Sequence, residues 1–170
     1  MLRTECVEDL NGKWSKLYYA RRAVEEGNDV FLLDADTEVV DIAPRFDDEL
    51  IRTGKDILVA NGLSGRPNSG VMMFKGGETS VAASFLQQCL ELRESRVPAA
   101  DFVTEDGENG HVIFMLKREP FASRVGILDT LWNCTHPSCV GDAYIRHYTY
   151  MLRGSLGHFS STRTAQKGFM

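Results

Sequence analysis

The stretch Asp29-Val30-Phe31-Leu32-Leu33-Asp34-Ala35-Asp36-Thr37 is an apolar strand that ends in two carboxylates one residue apart. A parallel strand buried on both faces reads as a near-continuous apolar run, and ligands in open α/β sheets gather beyond the carboxyl ends of such strands. Asp34 and Asp36 therefore fall where a ligand would sit. Hard oxygens on alternate residues suit a divalent ion such as Mg²⁺ or Mn²⁺ that also holds a diphosphate. A turn that merely favours Asp gives the same letters.

Working outward, Trp14, Leu17, Tyr18 and Val24 recur at helical spacing between Lys13 and Glu26, with Gly27 and Asn28 as stop signals before the strand. On the far side, Pro44 opens a short helical segment through Ile51 that Gly54 closes, and Asp56 to Ala60 reads as a second strand. A Gly- and Ser-rich loop, Asn61 to Ser69, leads into a third strand, Gly70-Val-Met-Met-Phe74. Thr79 can cap the longest helix, running to about Ser95 with Val81, Phe85, Leu86, Cys89 and Leu92 inward. Glu105 to Leu116 reads either as a helix weakened by Gly107 and Gly110 or as a loop feeding a strand. Late strands are expected at Arg124–Leu128 and Ala143–Tyr148. This order of elements is α/β, with no internal repeat and no second-domain linker. Residues 1–153 read as one domain, and residues 154–170, which lack periodicity, as a loose tail.

Composition narrows the function. With 170 residues, 43% apolar and 25% charged, the chain can bury a substantial core. A formal charge of -5 and a pI near 5.4 argue against a broad nucleic-acid surface, so an anionic substrate must be met by local cations or by a metal. No stretch is long enough to span a bilayer, and Met1 to Leu10 is too polar and acidic for a signal peptide. A soluble chain of the cytoplasm or the Golgi lumen is the expectation.

Cys6, Cys89, Cys134 and Cys139 are too few and too scattered for a disulfide scaffold. Cys134-Thr-His136-Pro-Ser-Cys139 invites a zinc reading, yet a structural zinc needs four ligands and no second pair is in view. Ordinary loop thiols are expected, with a local disulfide as the outcome in an oxidising compartment. Asn133-Cys134-Thr135 is formally an N-glycosylation acceptor.

Taken in order, the acidic turn at Asp34-Ala-Asp36, the segment Asn68-Ser69-Gly70-Val-Met-Met-Phe74, the acidic element Thr104-Glu105-Asp106-Gly-Glu108-Asn109, the Leu131-Trp132-Asn133 run and Ile145-Arg-His147-Tyr148 resemble nucleotide-sugar glycosyltransferases of the GT-A fold. The resemblance is to the glycogenin and lipopolysaccharide galactosyltransferase type, then to plant and fungal galactosyl and xylosyl transferases, and runs from about Trp14 to Arg153. It implies a Rossmann-type mixed sheet flanked by helices, whose first nucleotide-binding βαβ unit is missing or shortened here. It also implies transfer of a sugar, with retention, from a nucleoside diphosphate sugar to a glycan acceptor, dependent on Mn²⁺ or Mg²⁺. By position Asp34, Asp36 and His147 would hold the metal, with Asp34 also near ribose. Asn68, Ser69 and Gly70 would approach the sugar, and Lys16, Arg21 and Arg22 read either as reaching phosphate or as a solvated helix face. Asp106 and Glu105, with Glu108 as a third choice, fall where the family carries a carboxylate near the anomeric carbon. Trp132 either stacks on sugar or fills the core. An oligomer, or strands supplied by a segment outside this chain, would complete the sheet.

Two rivals stand beside this. A haloacid-dehalogenase-like phosphatase also places Asp-x-Asp after an apolar strand, but wants Thr or Val where Glu38 stands. A module of the same fold without catalysis would keep the architecture and lose donor binding.

Overall fold

In the computed structural model, which describes residues 10–77 and 79–155, the chain forms α1 (Gly12–Glu25), β1 (Val30–Leu33), β2 (Thr37–Val39), α2 (Phe46–Thr53), β3 (Ile57–Asn61), β4 (Pro67–Phe74), α3 (Val81–Glu91), α4 (Asn109–Leu116), β5 (Val125–Leu128) and β6 (Ile145–His147). Cys6 and tail residues 156–170 lie outside the described residues.

Local chemistry sets the helix ends. The Asn11 side chain accepts from the Lys13 and Trp14 amides at the start of α1, relieving two of the donors a helix leaves unpaired. Gly54 closes α2 in the left-handed conformation, at φ 61, and Asp47, Asp48 and Glu49 in the first turn oppose the helix dipole. Ser80, not Thr79, caps α3, accepting from the Ala82 amide at 3.1 Å, and the helix stops at Glu91 instead of Ser95. Of the stretch Glu105–Leu116 only Asn109–Leu116 is helical.

The four-stranded sheet runs β1-β4-β3-β5, and a separate ribbon pairs β2 with β6. β3 and β4 lie in the middle, covered on both faces, which is why they are apolar without alternation. Ile57 and Val59 of β3 and Met72 and Phe74 of β4 face Leu17, Val24, Phe85, Leu86 and Met115 from α1, α3 and α4. The intervening Leu58, Val71 and Met73 face Leu50, Leu128, Trp132 and Ile145. Each such side chain removed from water contributes about 1.5–3 kcal/mol, so these layers hold the sheet together. Trp132, 2% exposed, sits edge-on to Phe31 and Tyr144, which makes it core and not a sugar platform.

β1 departs from the expectation of a parallel strand buried on both faces. It pairs antiparallel with β4, from Val30 opposite Phe74 to Leu33 opposite Val71, and all four residues are half-buried because it stands at the margin of the sheet. Its direction is nevertheless the one that matters. β3 is also antiparallel to β4, and β5 is parallel to β3, so β1, β3 and β5 all point the same way. Their carboxyl ends and the amino end of β4 therefore meet on one side. The β3–β4 register slips between Val59, opposite Met72, and Ala60, opposite Asn68, so Ser69, Gly70 and Val71 have no partner on β3 in the ladder, and the Gly70 carbonyl instead accepts from the Asp34 amide at the end of β1.

Cys134 and Cys139 form a disulfide, with Cα atoms 5.8 Å apart, in place of the loop thiols expected. The turn at Pro137–Cys139 folds the loop back on itself and brings the two together. Among the described residues no helix is long and apolar enough to cross a membrane.

Candidate functional site

Asp34 leaves the end of β1 with its amide bonded to the Gly70 carbonyl at 2.9 Å, so the acidic turn is tied to β4. The turn closes when the Thr37 amide and hydroxyl donate to the Asp34 carbonyl at 3.1 and 2.7 Å. β2 starts at once and pairs with β6, setting Thr37 opposite His147 and Glu38 opposite Arg146. The Tyr148 amide donates to the Asp36 carbonyl at 2.8 Å. Asp36 and His147, 111 positions apart in sequence, are thereby held side by side by an ordinary antiparallel ladder.

The result is a set of three ligand atoms, one each from Asp34, Asp36 and His147, all within 4.8 Å of one another. His147 Nε2 lies 3.2 Å from Asp36 Oδ1 and 3.8 Å from Asp34 Oδ2. The ring is 3% exposed, and burial lowers its pKa below the usual histidine value against the opposing pull of Asp36 and Asp34. A neutral imidazole facing two carboxylates is a donor set of the kind that takes a divalent cation, with two hard oxygens and one nitrogen. Gly70 makes the arrangement sterically possible: a Cβ there would come 2.3 Å from His147 Cε1 and 2.9 Å from Nδ1. The resemblance puts Gly70 near a sugar, whereas here the missing side chain admits the histidine.

Lys16, from α1, reaches the same site. Its ammonium donates to Asp34 Oδ1 at 2.5 Å and to the Ser69 carbonyl at 3.1 Å, and stands 2.7 Å from Glu108 Oε1. Glu108, 4% exposed, also accepts from the Ser69 hydroxyl at 2.5 Å. Asn109 then clips the start of α4 to β4, accepting from the Ser69 amide at 2.9 Å and donating to the Pro67 carbonyl at 3.3 Å. Asn68 spends its side-chain oxygen on the Gly70 amide at 2.8 Å. These residues line a cleft of about 170 Å³ that also takes in Asp36, Thr104, Gly107, His147 and Tyr150.

Several expected residues are brought into this cleft and others are not. Asp34, Asp36, His147, Lys16, Asn68 and Ser69 line it. Glu105 and Asp106 are exposed and do not line it, and the buried carboxylate of that acidic element is Glu108. The cause is the start of α4: the chain turns inward at Gly107, so the residue next to the helix faces the cleft. Arg21 bonds Glu25 and, on α3, Gln87, and Arg22 bonds Tyr18, so neither lines the cleft. Asn133 is 2% exposed with its amide engaged, a poor glycosylation acceptor in the folded chain. Tyr150, a cleft residue at φ 47, carries no sequence signal for its left-handed backbone.

No protein-family model and no curated protein matches this chain. Among solved structures the chain is similar to mouse xyloside xylosyltransferase 1 in its apo form, at 18% sequence identity and a TM-score of 0.44, over 77% of this chain and 62% of that one. The chain thus spans less than two thirds of the length of the protein it matches.

Proposed function

We propose that this chain carries the metal and diphosphate half of a glycosyltransferase site, moving a sugar from a nucleoside diphosphate donor to a carbohydrate acceptor. The observation that carries this reading is the meeting of Asp34, Asp36 and His147 beside the Lys16–Glu108 pair at the carboxyl ends of β1 and β3. Mn²⁺ or Mg²⁺ held by Asp34, Asp36 and His147 would neutralise charge on the departing diphosphate. Lys16 supplies a second positive charge beside the same phosphates, exchanging its contact with Asp34 for the ligand. Glu108 takes the place near the anomeric carbon that the sequence resemblance gave to Asp106 or Glu105, and there a carboxylate stabilises positive charge on the sugar or attacks it. The second route gives retention. At about 170 Å³ the cleft is smaller than the roughly 300–1,000 Å³ usual for a small-molecule site, which is why the reading is confined to the metal and diphosphate half.

Calorimetry with a nucleoside diphosphate tests the reading. Binding should need Mn²⁺ or Mg²⁺ and vanish in Asp36→Ala with the fold intact. Equal binding with and without metal would overturn the mechanism, and no binding by a well-folded chain would favour a non-catalytic module.

A further inference from the structure

His147 has two ring nitrogens, and only one can offer a lone pair to the Asp34–Asp36 side. Which one carries the proton is decided by what the other meets. Nδ1 faces the side-chain oxygen of Asn133 at 2.9 Å, in a contact where both residues are buried. An amide could in principle turn its nitrogen to the ring instead. Its other arm settles the matter, because the Asn133 Nδ2 lies 3.4 Å from the backbone carbonyl of Asn61, a group that only accepts. The nitrogen belongs on the Asn61 side, and the oxygen must then face His147. An oxygen at 2.9 Å calls for a proton on Nδ1, and a cation held between Nε2 and Asp36, 3.2 Å apart, would then meet the Nε2 lone pair; with no cation there the Asp36 carboxylate is itself an acceptor for a ring proton.

The backbone holds this geometry. Asn133 ends the short turn after β5, and the next residue is laced to β6: the Cys134 amide donates to the Ile145 carbonyl at 3.0 Å, and the His147 amide donates to the Cys134 carbonyl at 2.9 Å. Gly70 lies against the Cε1–Nδ1 edge of the ring. We propose that Asn133 is a positioning residue, which, anchored by the Asn61 carbonyl at the end of β3, fixes the Nδ1–H form of His147 and aims Nε2 at the Asp34–Asp36 pair. Both the tautomer and its consequence for metal rest on the function proposed above. Partners of this kind behind a ligating histidine typically change metal affinity by about 10- to 100-fold when removed.

The test is a long-range proton–nitrogen correlation spectrum of the ¹⁵N-labelled chain at pH 8 with excess Mg²⁺, a diamagnetic ion, with His147 assigned by comparison with His147→Gln. The wild-type chain should show His147 as the Nδ1–H form. The Nε2–H form there would overturn the proposal without any variant being made. Asn133→Leu, checked for fold by its amide spectrum, should move the proton to Nε2, where Asp36 accepts it, and should weaken Mn²⁺ binding in calorimetry by about 10- to 100-fold. Asn133→Asp keeps an acceptor at Nδ1 and should keep both the tautomer and most of the affinity. An unchanged tautomer in folded Asn133→Leu, or unchanged Mn²⁺ affinity once the tautomer is lost, would overturn the positioning role. A wild-type chain with the Nδ1–H form that binds no Mn²⁺ would instead sink the metal reading and leave the tautomer assignment standing.

Discussion

Gly70 lies directly against the His147 ring, so close that a Cβ at Gly70 would stand 2.3 Å from Cε1 of the histidine. Nothing in the interior of a strand asks for glycine, which loses more freedom on folding than any other residue. Space for the imidazole is what the position supplies. Gly70→Ala should cost about 1–3 kcal/mol by overpacking and should abolish Mn²⁺ binding by displacing the ring. Gly12→Ala is the contrasting variant, since a Cβ there meets nothing within 4 Å, and it should leave stability unchanged or raise it by about 0.5–1 kcal/mol. Thermal and denaturant unfolding of the two chains, side by side with calorimetry, checks the pair.

Glu108 and Lys16 separate chemistry from binding. Glu108→Gln should lower turnover with donor affinity little changed, because a carboxylate near the anomeric carbon acts in the transition state. Asp106→Asn and Glu105→Gln, both exposed, should leave turnover near wild type. Steady-state kinetics on the three variants decides, and loss of turnover in Asp106→Asn alone would return the role to the exposed pair.

Lys16→Met carries a structural penalty as well. The ammonium lies between Asp34 and the buried Glu108 and pairs with both, with side-chain exposures of 13% for Lys16 and 5% for Glu108. Removing one partner of a buried pair costs about 3–5 kcal/mol. Denaturant unfolding should show that loss, and the double variant Lys16→Met with Glu108→Gln should recover part of it.

The Cys134–Cys139 bridge closes a loop of only a few residues, so its entropic contribution is small, about 2 kcal/mol. Reduction should lower the thermal midpoint by about 4–8 °C. It should also weaken Mn²⁺ binding, because Asn133 and the Cys134 carbonyl both touch His147. Midpoints and affinities measured with and without a reductant check both statements.

Cys89 is fully buried under α3, and desolvation, with the Glu108 charge adding to it, pushes its pKa well above the ordinary thiol value of 9.0. The folded state therefore holds the proton that the unfolded chain gives up. The associated stability is complete below pH 9 and is lost as the pH rises above it. Thiol-specific reagents at pH 8 should leave Cys89 unmodified until the chain is unfolded, as peptide mapping would show.

Much of this site was legible in the sequence because its parts are local signals. Asp34 and Asp36 follow an apolar run, Lys16 sits on the preceding helix, and His147 comes late in an order of motifs that a known family shares. The pairing was not legible. The apolar run of β1 reads the same whether its neighbour is parallel or antiparallel, and only the reversed direction of β4 makes it antiparallel. The choice of Glu108 over Asp106 depends on where α4 begins, a boundary that Gly107 and Gly110 blur. Asn133 was legible only as part of the Leu131-Trp132-Asn133 run and as a formal glycosylation acceptor, since its place lies in a contact to a side chain 14 residues away and a carbonyl 72 residues away. The disulfide was left open because the distance between two loop thiols depends on a turn the letters do not dictate.

The β2–β6 ladder has a kinetic side. Lys16, Asp34, Ser69 and Glu108 can gather while α1, β1, β4 and α4 assemble, yet His147 joins only when the three-residue strand at Ile145–His147 docks on Thr37–Val39. Two three-residue strands form a weak latch, and contacts spanning so much chain close late in folding. Any cation that binds the Asp34, Asp36 and His147 atoms therefore binds the latched chain alone. At a hundredfold excess over its Kd it would stabilise that state by about 2.7 kcal/mol through mass action. In such a chain the ion is also a folding clasp: starving it of metal would lengthen the time the carboxyl-terminal segment spends undocked and open to proteolysis.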